Sequence, residues 1–139
     1  MRYSTILAVA ASAVLLAVPG EPAQAQVRAE RVERVQFAPG ASSATVRGQI
    51  RGYRMVDYLV NARAGQRMTV RFGTRGRFTY FVVRAPGSED NLLDGTTSGG
   101  TAQLTLPETG TYRIRVFQMR NAARRGERSN YSLTISVSS

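Results

Sequence analysis

The chain has 139 residues, with nineteen basic and nine acidic side chains and a formal charge of +10. Every basic residue is arginine, and lysine, histidine, cysteine and tryptophan are absent. Lack of His and Cys excludes Ser-His-Asp and Cys-His nucleophile pairs, disulfides, thiol redox chemistry and the usual zinc or iron–sulfur ligand sets, and the length suits one domain of about 100–150 residues.

The amino terminus has the three parts of a secretory signal. Arg2 supplies the positive start, Ile6 to Val18 is a run of apolar and small residues, and Pro19-Gly20 ends it. Ala23-Gln24-Ala25 then has the small-x-small form of a cleavage site. A membrane-spanning helix needs about 20 apolar residues, more than this run offers. The expected organisation is a signal peptide at 1–25, cleaved after Ala25, and one domain at 26–139. No cysteine follows for lipid attachment. The mature chain loses Arg2 and Glu21, keeps its +10, and is expected in the periplasm or outside the cell.

From there the pattern is alternation with period two, which buries one face of a strand and wets the other. A short strand is expected at Val35 to Phe37, before the Ala38-Pro39-Gly40 turn. Val46, Gly48 and Ile50 share a face opposite Thr45, Arg47, Gln49 and Arg51. Val56, Tyr58, Val60 and Ala62 repeat the pattern with Asp57 and Asn61 opposite, and Met68, Val70 and Phe72 follow the Ala64-Gly65-Gln66 turn. Phe78 to Arg84 is nearly continuous apolar, as in a central strand covered on both sides. Gly87 to Gly100, rich in Ser, Asp, Thr and Gly, is expected to be a loop. Gln103 to Leu106, Tyr112 to Met119 and Asn130 to Val137 complete about eight strands. The expected fold is all-β, a single sandwich of antiparallel strands with jelly-roll-like connections.

Three groups of residues invite a functional reading. Tyr53, just past Gly52 at a strand end, is either a rim-packing residue or an exposed aromatic anchor. Glu89, Asp90 and Asp94 match neither a calcium loop nor a catalytic dyad, and read as a turn that offsets nearby arginines. The third group is the ten-residue connection Arg120 to Ser129, long for a hairpin loop of about 2–5 residues. It carries four arginines and one Glu. If Asn121 to Arg125 form a helical turn, Arg120 and Arg124 project from one side, placed to grip two carboxylates. The plain alternative is a solvated basic loop. The remaining arginines are spread along strands without the stacked aromatics that nucleic-acid recognition requires, so no nucleic acid partner is expected. Weak contact with anionic envelope surfaces suits the charge better.

The stretch Gly110-Thr111-Tyr112-Arg113-Ile114-Arg115-Val116-Phe117-Gln118-Met119-Arg120-Asn121-Ala122-Ala123-Arg124 resembles the periplasmic inhibitors of g-type (goose-type) lysozyme. Ser42-Ser43-Ala44 followed by Gly48-Gln49-Ile50-Arg51-Gly52-Tyr53, the Ala64-Gly65-Gln66 turn and the closing Asn130-Tyr131-Ser132-Leu133 agree in order. The resemblance implies a β-sandwich that occludes the substrate cleft of a g-type lysozyme. It associates the inhibitory surface with Arg120, Arg124 and Tyr53, and Asn121 belongs to the same stretch. Two places depart from the family: Ala122 stands where some relatives have an acidic residue, and Gly87 to Gly100 does not align.

The expected function is therefore non-catalytic, an inhibitor whose basic loop pairs with the catalytic carboxylates of a g-type lysozyme. No cofactor or metal is expected. The alternative is a secreted β-sandwich module that binds cell-wall glycan or another envelope protein without blocking an enzyme.

Overall fold

A computed structural model describes residues 31–95 and 100–139. The expected signal peptide and its cleavage point after Ala25 lie outside the described residues. The described residues form nine strands: β1 Arg31–Arg34, β2 Ser43–Arg51, β3 Val56–Ala62, β4 Arg67–Thr74, β5 Thr79–Arg84, β6 Asn91–Asp94, β7 Thr101–Thr105, β8 Gly110–Gln118 and β9 Arg128–Ser138. One short helix, α1 Arg120–Arg124, joins β8 to β9.

The strands make a five-stranded sheet, β1-β3-β8-β5-β6, and a four-stranded sheet, β2-β9-β4-β7. Strands β2 and β9, β3 and β8, β4 and β7, and β5 and β6 all pair antiparallel. The chain is thus one long hairpin, its outermost strands paired first, rolled so that successive pairs fall in opposite sheets. That is jelly-roll connectivity, as the turn spacing suggested.

The alternating residues meet between the sheets. Tyr58 and Val60 of β3, Met68 and Val70 of β4, Phe81 and Val83 of β5, Tyr112, Ile114 and Val116 of β8, and Leu133 and Ile135 of β9 are all buried. Each such side chain contributes about 1.5–3 kcal/mol by leaving water. Phe72 packs between Phe81, tilted against it, and Tyr131, stacked on it, with ring centroids 5.4 and 6.0 Å away. The Tyr58 and Tyr131 hydroxyls hydrogen-bond across the sheets at 2.6 Å. Gly48 lies opposite Tyr131 in the β2–β9 ladder, where a Cβ would collide with the tyrosine hydroxyl. Burial first, and then the bond to Tyr58, raises the Tyr131 hydroxyl above its ordinary pKa.

Three features differ from expectation. The first strand forms at Arg31–Arg34 rather than Val35 to Phe37, and it pairs with β3 in parallel. Val35 adds one more backbone bond, to the Leu59 carbonyl at 2.9 Å, and buries its side chain before the chain turns away. Second, the expected loop Gly87 to Gly100 contains strand β6 on the free edge of β5. Leu93 packs against the core there, a tertiary contact that outweighs the polar composition around it. Third, Asp57 and Arg115 are buried although they alternate with the core set. Arg115 grips Asp57 through Nε at 2.7 Å and Nη2 at 3.0 Å, and the half-exposed Arg113 approaches the same carboxylate at 3.5 Å. The hydrogen bonds to Asp57 raise the Arg115 pKa further above its ordinary value. Adjacent strands β3 and β8 set these charges side by side, in register Asp57 to Arg115.

Candidate functional site

Three connections gather at one end of the sandwich. Strand β2 stops at Arg51 opposite Arg128, β4 stops at Thr74 opposite Tyr131, and β5 starts at Thr79 opposite Gln118. Residues 52–55, 75–78 and 119–127 are therefore neighbours although far apart in sequence.

The longest of the three holds α1. Five residues are too few to be stably helical in isolation, because nucleation is costly and few bonds repay it. Tertiary packing supplies the stability, since Ala122 and Ala123 are buried beneath the helix. The helix ends in a Schellman arrangement: the Glu127 N–H donates to the Ala122 carbonyl at 3.2 Å and the Gly126 N–H to Ala123 at 3.0 Å. Gly126 supplies the left-handed residue this needs, with φ of 66°. Arg120 and Arg124, four residues apart, share the exposed face. Among the described residues neither has a hydrogen-bond or ion-pair partner. Arg125 is different, because its guanidinium is held by Glu127 at 3.0 Å. The Asn121 side chain is half-buried and turned to local backbone, its Oδ1 accepting the Ala122 N–H at 2.9 Å.

Tyr53 stands beside this helix, 59% exposed. Its turn is tied to the helical connection rather than merely near it. The Gly52 N–H donates to the Glu127 carbonyl at 3.0 Å. The buried Gln118 side chain then bridges the two loops, its Nε2 donating to Glu127 O at 2.7 Å and to Gly52 O at 3.3 Å. Gly52 adopts φ of 58° and comes so close to the helix that a Cβ would touch the Ala123 carbonyl at 3.5 Å. Met119, 38% exposed, adds an apolar surface at the start of the helix.

The third connection completes the surface. The Met119 N–H donates to the Phe78 carbonyl at 2.8 Å, and Thr74 Oγ1 bonds Ser129 Oγ at 3.0 Å. Arg75 and Arg77 project from this turn, both exposed and without side-chain partners among the described residues. Taken with their flanking strand residues (51–56, 74–79 and 118–128), the three connections carry eight arginines and one carboxylate, a net +7. At the opposite end, residues 62–67, 84–91 and 105–110 carry Arg63, Arg67 and Arg84 against Glu89, Asp90 and Glu108, a net charge of zero. Glu89 offsets Arg84 there at 2.7 Å, the role its turn suggested.

The structure thus brings Tyr53, Arg120 and Arg124 together, and assigns Asn121 mainly to its own backbone. Gln118 was the residue that alternation alone did not mark as functional. Its signal was present nonetheless: it continues the inward set Tyr112, Ile114, Val116, where a polar side chain must find partners. Arg75 and Arg77 had no local signal, because only the strand pairing places them here.

No family model matches the sequence. An inhibitor of g-type lysozyme from Escherichia coli strain K12 is 34% identical over 106 residues, which span 74% of this chain and 78% of the relative. The chain belongs to the family of g-type lysozyme inhibitors. Solved members share its fold. PliG of Aeromonas hydrophila, a periplasmic inhibitor of g-type lysozyme, superposes with a TM-score of 0.70 at 40% identity, covering 77% of this chain and 96% of that one. PliG of Salmonella Typhimurium gives 0.61 at 32% identity, covering 77% and 97%. These relatives are inhibitor proteins rather than enzymes.

Proposed function

We propose that this protein inhibits g-type lysozyme in the periplasm, with the basic end of the sandwich closing the enzyme's peptidoglycan-binding cleft. The observation that carries this reading is the pair of guanidinium groups of Arg120 and Arg124, without partners among the described residues and one helical turn apart beside the exposed Tyr53. Family membership and the periplasmic setting of the solved relatives support it. So does the amino-terminal segment, read as a signal peptide at 1–25 ahead of an inhibitor domain at 26–139.

The chemistry follows from what a lysozyme needs. A carboxylic acid must protonate the glycosidic oxygen, and a second acidic environment stabilises positive charge on the sugar. A guanidinium brought against that acid favours its ionised form and so removes the proton it must deliver. Arg120 enters the cleft in this role, while Arg124 pairs with a neighbouring carboxylate and Tyr53 packs against the cleft wall. Asn121 keeps the first turn of the helix in place beneath Arg120. Truncating an arginine in a buried, hydrogen-bonded charge pair costs about 2–5 kcal/mol of binding.

Cell-wall lysis by g-type and c-type lysozymes, with and without the mature protein, tests the reading. The parent is expected to suppress lysis by the g-type enzyme, and Arg120→Ala to lose most of that effect. Undiminished lysis together with co-sedimentation on peptidoglycan would replace it with a wall-binding module.

A further inference from the structure

The arginines of the β4–β5 turn are not absorbed by the helix-and-tyrosine surface. Arg75 and Arg77 flank Gly76, whose Cα packs so tightly on β9 that a Cβ would collide with the Ser129 and Thr79 hydroxyls. The Gly76 N–H donates to Thr74 Oγ1 at 3.0 Å, and Thr74 Oγ1 in turn donates to the Asn130 carbonyl at 2.9 Å. On the other side, the Phe78 carbonyl receives the Met119 N–H, immediately before α1. The turn is therefore clamped to both strands that carry the helical connection. The backbone from which Arg75 and Arg77 project is thus fixed relative to α1, which carries Arg120 and Arg124.

Arginines elsewhere that lie near acids are engaged: Arg31 with Glu33, Arg84 with Glu89 and, in the interior, Arg115 with Asp57. The β4–β5 turn has no acid within its own sequence, and the one carboxylate of the three connections, Glu127, is taken by Arg125. Four guanidinium groups without an acid partner among the described residues thus stand on two adjacent, hydrogen-bonded loops, with Met119 at their junction. A single inserted arginine does not require the second pair.

We propose that the β4–β5 turn is a second basic arm of the docking surface, in which Arg75 and Arg77 engage carboxylates along the same acidic cleft that receives Arg120. This rests on the inhibitor reading and extends it from one inserted loop to two loops held in register. The net +7 of these three connections, lowered to +6 by Asp94 at the same end of β6, stands against zero at the far end and makes the molecule electrically polar along its length. Such asymmetry orients an approaching partner and acts mainly on the association rate.

The test compares two double charge reversals that alter net charge equally. R75E/R77E changes the β4–β5 turn, and R63E/R67E changes the neutral end. Association with a g-type lysozyme is followed by stopped-flow or surface plasmon resonance at several salt concentrations, with thermal unfolding to verify folding. R75E/R77E is expected to slow association by about tenfold or more at low salt, with a flatter salt dependence, and R63E/R67E by no more than about twofold. The milder R75Q/R77Q pair should fall between R75E/R77E and the parent. Equal slowing by the two reversals would reduce the effect to total charge and overturn the proposal. So would parent-like association of R75E/R77E while Arg120→Ala loses inhibition. If the parent protein itself neither binds g-type lysozyme nor suppresses its lysis, the inhibitor reading fails instead.

Discussion

Replacing Gln118 by leucine removes the bridge between the Tyr53 turn and the helical connection while keeping a side chain of similar size. The bond from Nε2 to Glu127 O is short, 2.7 Å, and that to Gly52 O is longer, 3.3 Å. A net hydrogen bond is worth about 0.5–1.5 kcal/mol, and a buried carbonyl left without a donor costs about 1–3 kcal/mol. Glu127 O keeps the Gly52 N–H at 3.0 Å, so only Gly52 O is orphaned. If the end stays closed, the losses amount to about 2–4 kcal/mol of stability. If it opens to water, Gly52 O is solvated and the stability loss is smaller, but Tyr53 and Arg124 lose their fixed separation. Either way, inhibition weakens by about tenfold or more, the equivalent of 1.4 kcal/mol.

Gln118→Glu sharpens the same prediction. It points a carboxylate at two carbonyl oxygens, so at neutral pH it should be worse than leucine. That repulsion raises the folded-state pKa of the new acid above its ordinary value of about 4.3, so its deficit is present at neutral pH and shrinks as pH falls. Thermal unfolding by circular dichroism, alongside inhibition titrations against g-type lysozyme, measures both effects. A folded Gln118→Leu protein that inhibits as tightly as the parent would refute the claim that this amide positions the surface.

Two further outcomes concern the scaffold. Asp57→Ala leaves Arg115 buried without its partner and should cost about 3–5 kcal/mol in urea unfolding, whereas Asp57→Leu combined with Arg115→Met should recover much of it. Arg113, being half-exposed, can turn to water in both variants and adds little. Alkaline pH should also destabilise the fold. The raised Tyr131 pKa means its contribution is complete below about pH 10, the unfolded value, and erodes above it by up to about 1.36 kcal/mol per pH unit. Tyr131→Phe should flatten that slope in denaturant titrations at successive pH values, and an unchanged slope would assign it to other groups.

The strand faces were legible because alternation is local. Tyr58 and Val60, or Leu133 and Ile135, are inward whatever strand they pair with, since successive residues point to opposite sides. The spacing of Arg120 and Arg124 was legible for the same reason, as one helical turn. Asp57 was misleading because alternation says which face a side chain takes but not whether that face is covered. Only the pairing of β3 with β8 set Arg115 beside it.

Composition, all-β class and the spacing of the arginine pair are thus determined by the sequence alone, each through residues within a few positions of one another. The tertiary structure decided what depends on distant residues meeting. It joined the Tyr53 turn to the helix through Gln118, and it carried Arg75 and Arg77 to the same end. A charge of +10 is a property of the chain, but the concentration of +7 on three connections at one end is a property of the rolled hairpin. Rolling alternate strand pairs into opposite sheets brings connections far apart in the chain to a common end, and no local pattern encodes that meeting.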